Sequence, residues 1–241
     1  PTAFSNALSN ALTTIVSRTG SASAVAANSN SLMTNGRIYQ AKFNSGDWSG
    51  QLLSIPIGAN GVLGVTEWDA GLVSLASNVI NPASRIMITK GSSDGVAFQY
   101  ANLTTAQKVL IDKNAAGTVD NCGLERVFYL RGDASHENAS GTFTCASTTT
   151  VNNFRVRTSS KLGDIVNSGP IYIGKPNAGY SDVDHPGYGA FKNNYKDRTP
   201  MVYVGANDGI LHGFNACIVG VTPGCTAADA GKELLAYIPS H

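Results

Sequence analysis

Two carboxylates occupy the same place in two strings of one form, an apolar run, Gly-x-x-Asp-Gly and a second apolar run. ITKGSSDGVAFQY carries Asp94 between Gly91 and Gly95, and YVGANDGILHGFN carries Asn207 and Asp208 between Gly205 and Gly209. Carboxylates brought together can share a proton or hold a cation. A turn aspartate has a simpler use, because it bonds its own backbone two residues on. The following glycine then supplies the positive φ that primed hairpin turns require. For both strings the structural reading is preferred, so Gly91, Asp94, Gly95, Gly205, Asn207, Asp208 and Gly209 are expected to form corners between strands.

Other residues invite chemistry and can be weighed in the same way. Asp182-Val183-Asp184 followed by Gly187 imitates the opening of a calcium loop. However, Pro186 stands at a ligand position without a side-chain oxygen, and Asn193 stands where such loops carry Glu. Gly46-Asp47-Trp48-Ser49-Gly50 is a near miss for the nucleophile elbow, which needs serine in the middle of its five residues. His212 is the one histidine in a comparable apolar setting, on the strand after the second turn. No hydrolytic triad is expected, and Trp48 is expected to pack between sheets. Arg131-Gly132-Asp133 matches the tripeptide that integrins recognise, but it follows LERVFYL. That context makes Gly132 a helix C-cap and places Arg131 on the last helical turn. No catalytic, cofactor-binding or metal-binding residue is proposed.

The four cysteines, Cys122, Cys145, Cys217 and Cys225, form no C-x-x-C pair, and no histidine pair has metal-ligand spacing. An even count in a low-charge, Asn/Ser-rich chain points to disulfides and an oxidising compartment. Cys217 and Cys225 flank IVGVTPG, in which Pro223-Gly224 can fold the ends together, so these two are expected to pair. Cys122 and Cys145 are then left for each other.

The surrounding elements fit this picture. Charged residues are 14% of the 241, well under the roughly 25% of an average domain, and the formal net charge is +1. There is no basic stripe, so nucleic acid is not an expected partner. No apolar run approaches the ~18 residues of a spanning helix, so membrane insertion is not expected either. Phe4, Leu8, Leu12 and Ile15 share one helical face, and a polar lead-in follows through Asn35. From Gly36 the period changes to two. Strands are expected at Arg37–Phe43, Gln51–Ile57, Val62–Trp68, Arg85–Lys90, Val96–Tyr100, Asp164–Val166, Ile171–Gly174 and Glu233–Ile238, with Pro56 near a strand end. Thr104 and Gln107 have capping-box spacing ahead of a short helix, and a second helix is expected over Asp120–Arg131. Lys175–Arg198 reads as a Gly/Tyr/Asp loop. Repeats of one hairpin unit, each with an apolar face that only a neighbour can cover, mark a propeller or solenoid. The fold expected is therefore an all-β propeller, incomplete in this chain, with short helical insertions. Residues 1–35 would be the helix and polar lead-in, and residues 36–241 the first blades. Opening on Pro1 and closing at His241 just after an apolar run, the sequence reads as a piece of something longer.

MVYVGANDGILHGFNA with GKELLAYIPS resembles the blade motif of quinoprotein-type propellers. The ordered strings FNSGDWSGQLL, YLRGD, KLGDIVNSGPIYIG and RTPMVYVGANDGILHGFNA resemble the propeller of the PilY family, type IV pilus tip-associated adhesins. This resemblance runs from about Arg37 to Ile238. It implies a secreted, cell-surface assembly and adhesion factor at the pilus tip, partnered by minor pilins, by a host or abiotic surface and by the remaining blades of its own propeller. It also implies calcium, but the family's Asp-rich calcium loop is not found in this sequence, so the ion is expected outside this segment. The rival class is an enzyme, a quinoprotein-type dehydrogenase, whose cofactor pocket needs charged and aromatic groups converging with calcium. An outer-membrane assembly scaffold would share the turn motif but not GDWSG and YLRGD.

Overall fold

The computed structural model describes residues 22–27, 35–44, 46–58, 60–76 and 79–239. The helix expected in the first 18 residues lies outside them. The polar lead-in nevertheless supplies a strand, β1 (Ala22–Ala27), which pairs antiparallel with β2 (Arg37–Asn44). The first sheet continues through β3 (Ser49–Pro56) to β4 (Trp68–Asp69), in the order β1-β2-β3-β4. The hairpin of β2 and β3 is paired along its whole length, from Arg37 opposite Pro56 to Asn44 opposite Ser49. The strand expected over Val62–Trp68 shrinks to β4 and a single bridge between Ile57 and Leu63. Pro56 explains why. Its carbonyl accepts from the Gly64 amide at 2.8 Å, but it has no N–H to return, so the ladder breaks and Val62 and Val65 stay exposed.

The second sheet holds β5 (Met87–Lys90), β6 (Gly95–Ala97), β9 (Ile171–Ile173), β10 (Met201–Gly205), β11 (Leu211–Asn215) and β12 (Glu233–Ile238), in the order β6-β5-β12-β11-β10-β9. Strands β9 to β12 form an antiparallel meander of four, the content of one blade. Strand β5 then adds to β12 in parallel. A small hairpin, β7 (Thr142–Thr144) with β8 (Thr150–Asn152), occupies the Thr-rich segment.

Among the described residues, four short α-helices decorate the sheets. Helix α1 (Ala70–Val73) is capped by the Asp69 carboxylate, which accepts from the Gly71 amide. Helix α2 (Thr105–Ile111) has the capping box read from Thr104 and Gln107. Helix α3 (Gly123–Arg131) ends on Gly132 at φ 107°, the left-handed C-cap. Helix α4 (Tyr188–Asn194) lies inside the segment expected to be loop only. Asp164–Val166 is not a strand. It runs between the two sheets, where Asp164 and Ile165 are buried. No described helix is long and apolar enough to cross a membrane.

The two sheets pack face to face. Tyr39, Leu52 and Trp68 of the first meet Val202, Val204 and Phe214 of the second across Leu162 and Ile165. The Tyr39 ring stacks on Tyr172 at 5.6 Å and touches Trp68 at 5.8 Å. Register places Tyr203, Leu235, Leu211, Tyr237, Ile171 and Ile173 on the other face of the blade. Ile171, Ile173 and Leu211 are exposed there, so one face of the blade is covered and the other is open. The sheets do not close, as expected of an incomplete propeller.

Candidate functional site

The Asp208 turn is the centre of the most connected polar cluster. The Gly209 amide donates to the Ala206 carbonyl and the Ala206 amide to Ile210, with Gly209 at φ 82°. This is a type I turn closed by a left-handed glycine, not the primed two-residue turn expected. Asp208 Oδ1 accepts from the Ile210 amide two residues on, as turn aspartates do, at 3.0 Å. Its other oxygen accepts from the Gly163 amide at 3.0 Å. Asn207 donates Nδ2 to Asp164 at 2.6 Å, and its amide donates to the Asp164 carbonyl. On the far side of that connector, the Gly50 amide donates to Leu162 at 2.8 Å. A Cβ on Gly163 would stand 2.7 Å from the Asp208 backbone nitrogen, so only glycine lets the connector pass this close. GDWSG, KLGD and GANDG, far apart in sequence, therefore meet in one clasp between the two sheets.

The clasp continues through His212, which is 0% exposed. Its Nε2 lies 3.1 Å from Asp208 Oδ2 and its Nδ1 lies 2.7 Å from Glu233 Oε1. Glu233 receives a two-pronged pair from Arg85, at 2.6 and 2.9 Å. Arg85 Nη1 donates to the Leu130 carbonyl, and Arg131 donates to the carbonyls of Arg85, Pro82 and Phe98. YLRGD thus joins the same network. Burial by itself would lower the His212 pKa. The Asp208 charge, helped by hydrogen bonds to Asp208 and Glu233, outweighs it and raises the value to about 9. Burial would raise the Asp208 and Glu233 carboxyls, but the imidazolium, and for Glu233 also Arg85, holds both below their usual range. An imidazole with a carboxylate on each nitrogen, sealed from solvent, has no free lone pair and no route to a substrate. Its chemistry is that of a buried ionic tie.

The remaining candidates are distributed as follows. Asp94 is exposed and bonds no described residue through its carboxylate, and Gly95 does not take the positive φ expected of it. That turn is closed by the Gly91 amide donating to the Asp94 carbonyl. The two aspartates do not share a site. Arg131 is buried, Gly132 caps α3, and Asp133 accepts from the Ser135 amide at 2.7 Å. Trp48 does not pack between sheets. It sits at a hairpin tip with φ 53° and is 57% exposed, while Trp68 fills the place expected of it. Ser49 Oγ donates to Asp47 at 2.6 Å, away from any histidine contact. The calcium imitation at Asp182 and Asp184 is spent internally, on the Gly189 amide and the Ser181 hydroxyl. Cys122–Cys145 and Cys217–Cys225 are disulfides. Glu125 joins Cys122 and Cys145 in the one cluster of possible metal ligands among the described residues, but both sulfurs are committed to the disulfide. A second ionic knot was not anticipated. Glu137 accepts from Arg157 at 2.6 Å and from Lys161 at 2.9 Å, and Arg157 lies 3.6 Å over the Tyr129 ring.

Sequence reasoning also missed Arg85 and Glu233. A signal existed in each case. Arg85 stands at the head of the apolar run IMIT, and Glu233 at the head of LLAYI.

Comparison with known proteins adds the family. Residues 162–241 match the family described as the PilY1 beta-propeller domain. A type IV pilus biogenesis factor PilY1 homolog of Xylella fastidiosa (strain Temecula1) is 32% identical over 226 residues, 91% of this chain and 15% of that protein. The type IV pilus biogenesis factor PilY1 of Pseudomonas aeruginosa (strain PAK) is 32% identical over 214 residues, 84% of this chain and 16% of that protein. The chain belongs to the PilY1 family. It spans about one-sixth of the length of these relatives. No solved structure matches. The PilY1 match begins at Leu162, on the connector of the clasp, and takes in the whole β9–β12 blade.

Proposed function

We propose that this chain is a scaffold segment of a type IV pilus biogenesis factor and tip-associated adhesin, and that it works by binding. The single observation that carries this reading is the clasp. The side chains that the candidate motifs offer for chemistry or recognition are consumed inside the protein: Asp208 fastens the connector between the sheets, His212 is tied to Asp208, and Arg131 to the Arg85 carbonyl. The names of the relatives supply the pilus. The secreted, cell-surface setting fits two disulfides and a low charge content. Minor pilins and a surface to which the pilus attaches are the proposed partners. The open face of the blade, with Ile171, Ile173 and Leu211, is the proposed seat of the next blade. Calcium, where the whole protein uses it, is assigned to residues outside those described. The dehydrogenase alternative is not favoured, because the relatives carry pilus-biogenesis names.

The test is genetic. In a type IV piliated bacterium lacking its PilY1-type gene, a chimaera carrying this segment in place of the resident one should restore surface pili and twitching. The same chimaera with Asp208→Ala should not. Full piliation by the Asp208→Ala chimaera at wild-type protein level would remove the clasp from the argument.

A further inference from the structure

The two disulfides differ in what surrounds them. Cys122 is the N-cap of α3, and Glu125 stands in the first turn of the same helix. One Glu125 carboxylate oxygen lies within 4.8 Å of both the Cys122 and Cys145 sulfurs, and all three residues are buried. Glu125 Oε1 accepts from the Ala146 amide, next to Cys145, at 2.9 Å. Its Oε2 is shut off from solvent and accepts from no described donor. A disulfide has no proton to offer, so the oxidised pair leaves a buried carboxylate oxygen with nothing to offset its lost hydration. Two thiols in the same place would each bring an S–H donor. The reduced pair therefore satisfies Glu125, and the oxidised pair does not.

The backbone beside this bond is strained as well. Asn121, just before Cys122, has φ 56°, and Thr148, in the turn that Cys145 opens, has φ 72°. A β-branched residue in that region is an outlier, and such strain persists only where the surroundings impose it. The turn is closed by the Thr148 amide on the Cys145 carbonyl and by the Cys145 amide on the Thr149 carbonyl, both at 2.8 Å. Thr144, Ala146, Ser147 and Thr148 are exposed around the buried Cys145. Phe143 of the same hairpin packs on His136 and Phe154, but no residue of 142–152 belongs to a hydrophobic core. Opening this hairpin breaks no core contact, the condition for local opening at low cost.

We infer that Cys122–Cys145 is a reversible redox pair whose proton is handled by Glu125, and that its reduction by a dithiol releases the β7–β8 hairpin from α3. The dithiol loses one proton to water, and its thiolate attacks Cys145, which is 4% exposed where Cys122 is 0%. The S–S bond breaks and its electron pair leaves on Cys122, where the N–H groups at the start of α3 favour a thiolate. That thiolate takes a proton from water. The second thiol of the dithiol gives its proton to Glu125 and attacks its partner sulfur in the mixed disulfide. Cys145 leaves as a thiolate and recovers the proton from Glu125. Two electrons and two protons have then passed to the protein, and the dithiol has become a cyclic disulfide. In reoxidation the Cys145 thiol gives its proton to Glu125 as it attacks a disulfide, and Cys122 then displaces the bound fragment. This chemistry goes beyond the pilus assignment and does not depend on it.

The probe is dithiothreitol, reduced and oxidised in varied ratio, on the intact protein, with free thiols trapped by alkylation and assigned by peptide mass. Cys122 and Cys145 should be freed at a ratio about tenfold less reducing than Cys217 and Cys225 require. Hydrogen exchange should then rise over residues 142–152 and stay unchanged in β9–β12. Equal midpoints overturn the inference, as does a Cys217–Cys225 bond that opens first. Loss of protection throughout the protein on reducing Cys122–Cys145 also overturns it, because the bond would then be a plain structural tie. The role of Glu125 is read from reoxidation by dilute glutathione disulfide, where attack by the first thiol limits the rate. Between about pH 8 and about pH 6 the rate should fall by less than about tenfold. In Glu125→Gln, which keeps an acceptor for the Ala146 amide, it should fall about a hundredfold, following the thiolate fraction alone. A structural role would change the size of the rate and not its slope with pH, so parallel profiles would remove Glu125 from the chemistry.

Discussion

The two ends of the β9–β12 blade use similar residue types in opposite ways. At one end, five residues turn β10 into β11, and their polar groups are spent on Gly163, Asp164, His212 and each other. At the other end, the 174–200 and 216–232 connections are long. One carries α4 and the exposed rings of Tyr180, Phe191 and Tyr195, the other the Cys217–Cys225 disulfide. Aspartate, asparagine and histidine occur at both ends. They differ in what satisfies them. At the short end every charge meets an opposite charge or a backbone dipole inside the protein, and at the long end rings and lysines are left to the solvent. The contrast indicates that the tightness of a connection in this fold marks where the blade is fastened, and its length marks where the blade can meet something else.

The largest expected effect falls at the fastened end. Asp208→Ala removes one partner of a buried imidazolium and leaves the Gly163 amide without its acceptor. Breaking one side of such a pair costs about 3–5 kcal/mol. His212→Phe removes the cation shared by the buried Asp208 and Glu233 carboxylates, so it should cost at least as much as Asp208→Ala. Denaturant unfolding would measure both. Two values near zero would mean that the clasp does not hold the sheets.

A smaller effect should follow from pH, and only at this end. The folded His212 pKa is about 9 against an ordinary 6.5. The group is therefore bound more tightly to its proton in the folded state. Its contribution to stability is fully present below about pH 6.5, declines above that, and is lost as the pH rises through about 9. Asp208 and Glu233, both held low, contribute above their ordinary carboxylate range and lose their contribution as the pH falls through their depressed values. Thermal unfolding should thus be most resistant in mildly acid solution, and the alkaline decline should be absent in His212→Phe. An unchanged alkaline decline in that variant would place the titrating group elsewhere.

Much of this was legible in the sequence, for a reason that differs by element. The hairpin of β2 and β3 is rich in strand-forming apolar residues and is covered on both faces, with Arg37 through Ala41 buried in succession, and the capping box of α2 is a purely local device. Lead-in strand β1 was not legible. Ala22–Ala27 has almost no periodicity of its own and becomes a strand by pairing with β2. Val62–Trp68 failed in the opposite sense, with the right residues but a proline in the partner strand where a donor was needed. The Asp208 carboxylate accepts from the Ile210 amide two residues on, a bond its local string suggests. Its reach to Gly163, His212 and, through them, Arg85 was not readable, because those contacts are set by how the sheets stack and not by spacing along the chain. Asp94, in the same local string, has no second sheet against it and keeps its carboxylate in solvent.

The smallest effect belongs to the tripeptide, and it separates the two ends most sharply. Arg131 sits in the fastened network, with three carbonyls around its guanidinium. Gly132 holds the left-handed cap, where an added Cβ would come within 2.8 Å of Ile80. Only Asp133 is left for a receptor, and its carboxylate is taken by the Ser135 amide. A recognition loop must project both charges from one tip, and here the arginine is withdrawn beneath Phe98 and Pro82. Asp133→Glu lengthens the side chain at a partly exposed turn, where substitutions usually stay within about 0.5 kcal/mol. The melting curve should barely move, and attachment of cells bearing the protein should be unchanged. Loss of attachment with an unmoved melting curve would mean that the tripeptide is a ligand after all, and that the fastened end of the blade also displays.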